Sequence, residues 1–357
     1  MRKLARFAWL ALMVGIGAWA ADQEKVFPLP EISSAYAVKA WSGRLYISDA
    51  RTKDVLVYSL ADAKLLGRIG KAGQGPGEFD SAPLIVPSAD GLAAKSFSKL
   101  LFFSPEGVFR REAKGFGIDL MVSGFPVFPV ETGYIGLPFV RGEDGQMNEC
   151  IGRVYDQDWK PIRDFGVRFP SPTPPPPPPP GAKRGGSKQD VLLIKNCFDV
   201  VLAGGRLYQA DSRLGLHLTV FDASGHQTGE IRVPVRPLDV PRAEKQRLLA
   251  HWREAMIKVL NEYNPIVPDA YPAFLAFRVD GSEIHAVTPA SKNGRYEILT
   301  FDAAGKILRR GFFFPLEPSW GYLPEMNGHF DILDCRLYAV DYNEAAERYE
   351  LRVTPLR

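Results

Sequence analysis

Three stretches of the chain carry one string: Arg44-Leu45-Tyr46-Ile47-Ser48-Asp49, Arg206-Leu207-Tyr208-Gln209-Ala210-Asp211 and Arg336-Leu337-Tyr338-Ala339-Val340-Asp341. A recurring string constrains the fold more than composition does, because each copy is one structural unit that must bury its faces against its neighbours. Weaker copies read Gly281-Ser282-Glu283-Ile284-His285-Ala286-Val287-Thr288, Asp90-Gly91-Leu92-Ala93-Ala94 and Thr132-Gly133-Tyr134-Ile135-Gly136. Aligned on Tyr46, the six copies fall at 46, 93, 135, 208, 285 and 338, with intervals of 47, 42, 73, 77 and 53.

Each copy is followed by a β-rich run and a tight turn. Examples are Val55-Leu56-Val57-Tyr58 before Ser59, Leu101-Phe102-Phe103 before Ser104, Val154-Tyr155 before Asp156, Leu218-Thr219-Val220-Phe221 before Asp222 and Ile298-Leu299-Thr300-Phe301 before Asp302. Alternating β-branched and aromatic residues bounded by Asp and Gly turns are hairpin chemistry. Each unit therefore reads as four strands, a to d, with the repeated string as strand b. The fold class is all-β: a six-bladed β-propeller of four-stranded antiparallel blades. The last unit ends after strand c, whereas Lys25-Val26-Phe27-Pro28 precedes the first unit with no blade of its own. That N-terminal strand is expected to close the last blade, protecting its edge.

The two long intervals contain insertions. One, 170–189, is a proline-rich loop with an unbroken run from Pro174 to Pro180. The other, 240–264, is helical and lies between blades four and five. Leu249, Trp252, Met256, Val259 and Tyr263 form its apolar stripe, Glu254 and Lys258 pair on the other side, and Asn264-Pro265 ends it. The stripe is expected to pack on the propeller.

Residues 1–20 read as a signal peptide. Arg2, Lys3 and Arg6 precede an apolar run from Phe7 to Ala18, and Ala18-Trp19-Ala20 supplies a cleavage pattern. Residues 21–357 are then a single propeller domain, placed in the periplasm or outside the cell, with no membrane span left and a monomeric state expected. Losing three of 44 basic residues leaves 41 against 41 acidic ones. A balanced chain disfavours a nucleic-acid partner. Of the three cysteines, Cys150, Cys197 and Cys335, the first two fall in neighbouring repeats and either pair or stay as buried thiols.

The a–b and c–d turns are short, whereas the d-to-a connections are long: 70–81, 114–125, 169–190, 234–271 and 315–329. In an antiparallel blade the d-to-a and b-to-c connections share one end, so loop length gathers on one face, where function concentrates. Asp49, Asp211 and Asp341 end strand b on that face, Arg51 and Arg213 follow two of them, and His329 lies near Trp320 and Tyr322 in an aromatic loop. These eight residues are the candidate channel-mouth site. The three aspartates either hold a divalent cation such as calcium through oxygen ligands or cap the following loops, and capping is the stronger reading. No GxSxG, HExxH or P-loop is present, and Gly70 to Phe79 lacks the spacing and the following helix of a dinucleotide site.

That stretch, Gly70-Lys71-Ala72-Gly73-Gln74-Gly75-Pro76-Gly77-Glu78-Phe79, resembles the blade-linking signature of NHL-type propellers and the bacterial six-bladed propellers related to them. Tyr271 to Phe274 resembles a linker of the same secreted proteins. The resemblance implies a linker joining the outer strand of one blade to the inner strand of the next. It covers one blade closely and the rest only in architecture. Some relatives are enzymes, a peptidyl-hydroxyglycine lyase and metal-binding lactonases among them, but their metal-ligand histidines do not map onto this chain. The function expected is a non-catalytic binding or scaffold module for a protein, peptide or glycan at the long-loop face. The alternative is a metal-assisted hydrolase or lyase using a carboxylate site.

Overall fold

The computed structural model describes residues 23–88, 91–121, 123–142, 147–170, 189–255, 263–313 and 329–357. The signal segment, the proline run, Met256, Val259, Trp320 and Tyr322 lie outside the described residues. The first described strand is β1 (Lys25–Leu29), which belongs to the last blade. Blade one is β2 (Ala35–Trp41), β3 (Arg44–Asp49), β4 (Asp54–Ser59) and β5 (Leu65–Ile69). Blade two is β6 (Leu84–Ser88), β7 (Gly91–Lys95), β8 (Leu100–Phe103) and β9 (Phe109–Ala113). A single turn, α1 (Ile118–Met121), leads to blade three: β10 (Phe128–Val130), β11 (Gly133–Gly136), β13 (Met147–Tyr155) and β14 (Pro161–Pro170). A short β12 (Phe139–Arg141) also pairs with β13, an addition the repeat pattern does not announce.

After β15 (Gln189–Leu192), blade four is β16 (Phe198–Ala203), β17 (Arg206–Asp211), β18 (Leu216–Phe221) and β19 (Gln227–Val233). Then come α2 (Arg242–Ala255) and β20 (Tyr263–Ile266). Blade five is β21 (Ala276–Asp280), β22 (Glu283–Lys292), β23 (Arg295–Phe301) and β24 (Ile307–Phe312). Blade six is β25 (Phe330–Leu333), β26 (Arg336–Asn343) and β27 (Arg348–Pro355), completed by β1 in the register Lys25↔Val353 to Leu29↔Tyr349. The six-bladed, four-stranded architecture and its closing strand are as the repeats require.

The repeated string has no polar face because each strand b is covered on both sides. Leu45 and Ile47 enter the core shared with blade six, whereas Tyr46 between them enters the core shared with blade two. In blade six, Tyr338 and Val340 face blade one, and Leu337 and Ala339 face blade five. Strand alternation thus feeds two cores at once. The c–d turns follow one rule. Ser59, Ser104, Asp156, Asp222 and Asp302 each accept backbone N–H bonds from residues two to four ahead, as Asp222 Oδ1 does from Ser224 N at 2.8 Å and His226 N at 3.0 Å.

The helical insertion departs from expectation. Helix α2 is described over Arg242–Ala255, and Tyr263 starts a strand rather than the last helical turn. A residue before proline is driven out of helical geometry, so Asn264 before Pro265 favours extension over a helix end. That strand, β20, pairs in parallel with β15 from the other insertion. Leu248 and Trp252 of α2 pack with Leu193, Ile194 and Val240 in a satellite core, so the helix face is covered by the linker after β15 and by the start of its own insertion. All three cysteines are free, and burial pushes the Cys150 and Cys197 thiols up to about 12. Among the described residues no helix is long and apolar enough to cross a membrane.

Candidate binding face

Asp49 ends β3, and its carboxylate is fully engaged by the backbone. Oδ2 accepts from Ser33 N at 2.6 Å and Ser34 N at 3.2 Å, and Oδ1 accepts from Arg51 N at 2.8 Å and Thr52 N at 3.1 Å. Burial works to raise its pKa, but these bonds together hold it below the usual carboxylate range. Asp211 caps its own turn by accepting from Arg213 N at 2.9 Å and holds the Arg213 guanidinium at Nε, 2.8 Å from Oδ2. Asp341 does not end its strand. β26 runs two residues further, to Asn343, because Tyr342 and Tyr349 stack edge to face and extend the hairpin. Arg352 Nε lies 3.7 Å from Asp341.

Arg51 is exposed, and the carbonyl of half-buried His329 accepts from Val340 N at 2.9 Å. Among the described residues no three His, Cys, Asp or Glu side chains gather as a metal set, so Asp49, Asp211 and Asp341 are not brought together as one. His285, which replaces tyrosine in its copy of the string, is wholly buried and bonds through Nδ1 to Thr300 Oγ1 at 3.0 Å.

Beneath the face, the innermost strands of four consecutive blades carry a chain of charges that the sequence reading missed. Lys39 on β2 meets Asp331 on β25 at 3.0 Å. Arg278 on β21 lies 3.4 Å from Asp331 and, through its other end, 3.4 Å from Asp199 on β16. Ala40 N also donates to Asp331 at 2.8 Å, and Phe277 N and Val200 N donate to Asp199 at 3.1 and 2.9 Å. Burial, partly offset by Arg278 and these N–H groups, raises the Asp199 carboxyl. Buried charges persist only when paired and hydrogen-bonded, as here. The signal was present in the repeat alignment: Lys39, Arg278 and Asp331 stand opposite Tyr46, His285 and Tyr338 in strand a, where an apolar residue is otherwise expected.

The face itself is apolar in places. Every blade or the linker leaving it supplies an exposed large hydrophobic side chain there: Tyr36, Phe97, Ile118, Leu192, Leu214, Leu238, Phe312 and Tyr342. The other exposed large hydrophobics lie on outer strands or their turns, on the rim. Arginines from blades three and four are interlinked on the same face: Arg213 Nη2 donates to the Arg168 carbonyl at 3.1 Å, and Arg168 Nη1 donates to the Arg141 carbonyl at 3.1 Å.

Residues 30–107 match a family model described as a 6-bladed β-propeller. No curated protein matches the chain. Among solved structures, a Bacteroides fragilis protein described as exported aligns over 95% of this chain and 96% of its own, at 12% identity and a TM-score of 0.52. The Neurospora crassa Pan2 WD40 domain aligns over 91% of this chain and 90% of its own, at 8% identity and a TM-score of 0.41. At such identities the likeness is one of fold, and the first of these two structures agrees with a propeller spanning the chain.

Proposed function

We propose that this propeller is exported and acts as a non-catalytic binding module for a protein, peptide or glycan, gripping it with the long-loop face. The observation that carries this reading is the asymmetry of the disc. The long connections and an exposed apolar side chain from each blade share one face, and apolar side chains left in water beside polar rims mark interaction surfaces. Of the three aspartates that could have served as metal ligands, Asp49 is committed to capping by four backbone N–H bonds and Asp211 by the Arg213 N–H, whereas Asp341 lies beside Arg352. Export is supported by the basic, apolar and small-residue pattern of residues 1–20 and by the fold likeness to an exported protein.

The test is cross-linking capture from the native cell envelope by the mature protein and by a Phe97→Glu/Tyr342→Ser variant. These two residues lie on blades two and six, 48% and 52% exposed, so their replacement leaves the cores intact. The wild type should recover a partner that the variant loses at unchanged thermal stability. Equal recovery by both proteins would remove the long-loop face from the reading, and a tagged precursor that stays in the cytoplasmic fraction would remove export.

A further inference from the structure

The short-turn face, opposite the long loops, carries a cluster of ionisable side chains around Cys335. This residue sits in the a–b turn of blade six, in the place that Gly43 and Gly205 hold in blades one and four. Asp334 and Cys335 both lie at φ +53°, the left-handed backbone that residues other than glycine rarely adopt. Side chains of blade five hold the turn there. Cys335 N donates to Asp280 Oδ2 at 2.8 Å, and Cys335 Sγ donates to Glu283 Oε2 at 3.5 Å. Arg309 Nη2 donates to the sulfur at 3.8 Å and also to that same Glu283 oxygen.

Beneath the cluster lies His285. It is wholly buried, its Nδ1 is bonded to Thr300 Oγ1, and its Nε2 has no hydrogen-bond partner among the described residues. Nε2 points at Glu283 Oε2 from 4.0 Å, just beyond bonding distance. With Thr300 donating to Nδ1, Nε2 carries the ring proton and is a donor whose acceptor stands close by. A buried donor left unmet is costly. The Glu283 carboxylate therefore has two berths, one on the Cys335 thiol and one on the His285 ring.

The charges facing the sulfur decide its reactivity. Burial first, then the bond to Glu283 and the charges of Glu283 and Asp280, raise the Cys335 thiol, whereas Arg309 works to lower it. His285 is kept neutral by burial and by Arg309, against the pull of Asp280 and Glu283. The thiolate is the form that attacks disulfides. In its first berth Glu283 thus silences the sulfur; in its second it leaves the sulfur to Arg309. We propose that Cys335 is a guarded thiol, a modification site for small disulfides: silent while Glu283 accepts its S–H, and open to exchange when that carboxylate shifts to His285 Nε2. In the exchange the thiol proton passes to water and the thiolate attacks one sulfur of the disulfide. The new S–S bond forms as the old one breaks, and the departing thiolate takes the proton back. Cys150 is wholly buried and Cys197 packs against two of the cores, so neither competes. The site lies apart from the long-loop face and needs nothing from it.

The experiment mixes the mature protein with 4,4′-dithiodipyridine at pH 7 and follows the absorbance of the thiopyridone released. The wild type should release one equivalent, about tenfold more slowly than a cysteine peptide, and Cys335→Ser should release none. Glu283→Gln should react about tenfold faster than the wild type, because the guard is gone. His285→Tyr, which restores the residue of Tyr46, Tyr208 and Tyr338 in the other copies, should react several-fold more slowly, because the second berth is lost. If Glu283→Gln does not fold, it will release an equivalent from each of the three cysteines. Arg309→Met then carries the test, and should slow the reaction because the sulfur loses its cation. A wild type as fast as the peptide overturns the guard, and so does a folded Glu283→Gln, or failing that an Arg309→Met, that keeps the wild-type rate. His285→Tyr at the wild-type rate overturns the shift of the carboxylate, and the proposal with it.

Discussion

Lys95 closes β7 at 4% exposure with no carboxylate bonded to it among the described residues; its ammonium donates to the Phe125 carbonyl at 2.9 Å and to Ser123 Oγ at 3.5 Å. Burial alone lowers its pKa from 10.5 to about 8. Because the folded value lies below the unfolded one, the cost of burying the charge is fully present below pH about 8. Stability is regained as pH rises from there towards 10.5, where the unfolded chain still binds the proton and the folded one does not. Lys95→Met should therefore stabilise the protein at pH 7 by on the order of 1–3 kcal/mol, and this gain should shrink as pH rises through the window. Urea midpoints of both proteins at pH 7 and pH 10 check it; a gap that does not narrow would mean the amine is charged and compensated throughout. Nothing in the sequence marks this lysine, because Ala-Ala-Lys-Ser-Phe-Ser reads as a strand running into a polar turn. Only the linker folding back over β7 buries it.

At the scale of elements, the linker from Gly70 to Ser81 shows what the chain's own grammar made legible. Phe79 is wholly buried in the core between blades one and two, and it bridges back to Ala72. Glu78 accepts from Gly75 N at 2.8 Å, and Lys99 reaches the Gly75 and Glu78 carbonyls at 3.3 and 3.2 Å. Gly70 has a φ of +68°, and a Cβ there would meet the Phe79 ring at 2.3 Å. Gly43 shares a positive φ, +73°, with nothing within 4 Å. Gly70→Ala should cost about 1–3 kcal/mol beyond the roughly 1 kcal/mol that left-handed backbone alone costs Gly43→Ala. Thermal melts of the two variants give the comparison, and equal losses would show that Phe79 yields without strain. The strands, c–d turns and closing strand were readable because hydrophobic alternation and Asp or Ser turn chemistry are local. The pairing of β15 with β20 was not, because it joins segments more than seventy residues apart that have no pattern in common. Arg141 and Arg168 escaped notice for the same reason: bonds to distant carbonyls leave no trace in spacing.

A ring built from one chain has one join that the backbone does not make, and here it falls within blade six, where β1 meets β27. Every other blade follows its neighbour covalently, so opening the disc means peeling β1, and blade one with it, from the C-terminal strands. Besides the core shared by blades one and six, two features bolt this join. One is the β1–β27 ladder, with Leu29 wholly buried; the other is the Lys39–Asp331 pair at 3.0 Å, reinforced by Ala40 N, which ties the inner strand of blade one to that of blade six. Removing one partner of a buried, hydrogen-bonded pair costs about 3–5 kcal/mol, and the loss belongs to the join rather than to the blades. In Asp331→Asn the shape is kept and the charge is removed, which takes the paired anion from Lys39 and one of the carboxylates beside Arg278. Opening at the join should then outpace opening elsewhere. Native-state hydrogen exchange should rise first at the amides of β1 and β27, while the amides of β8 and β11, in blades away from the join, keep wild-type protection. A uniform rise across all blades would assign the ion chain to global stability and leave closure of the ring to the strand ladder and the core shared by blades one and six.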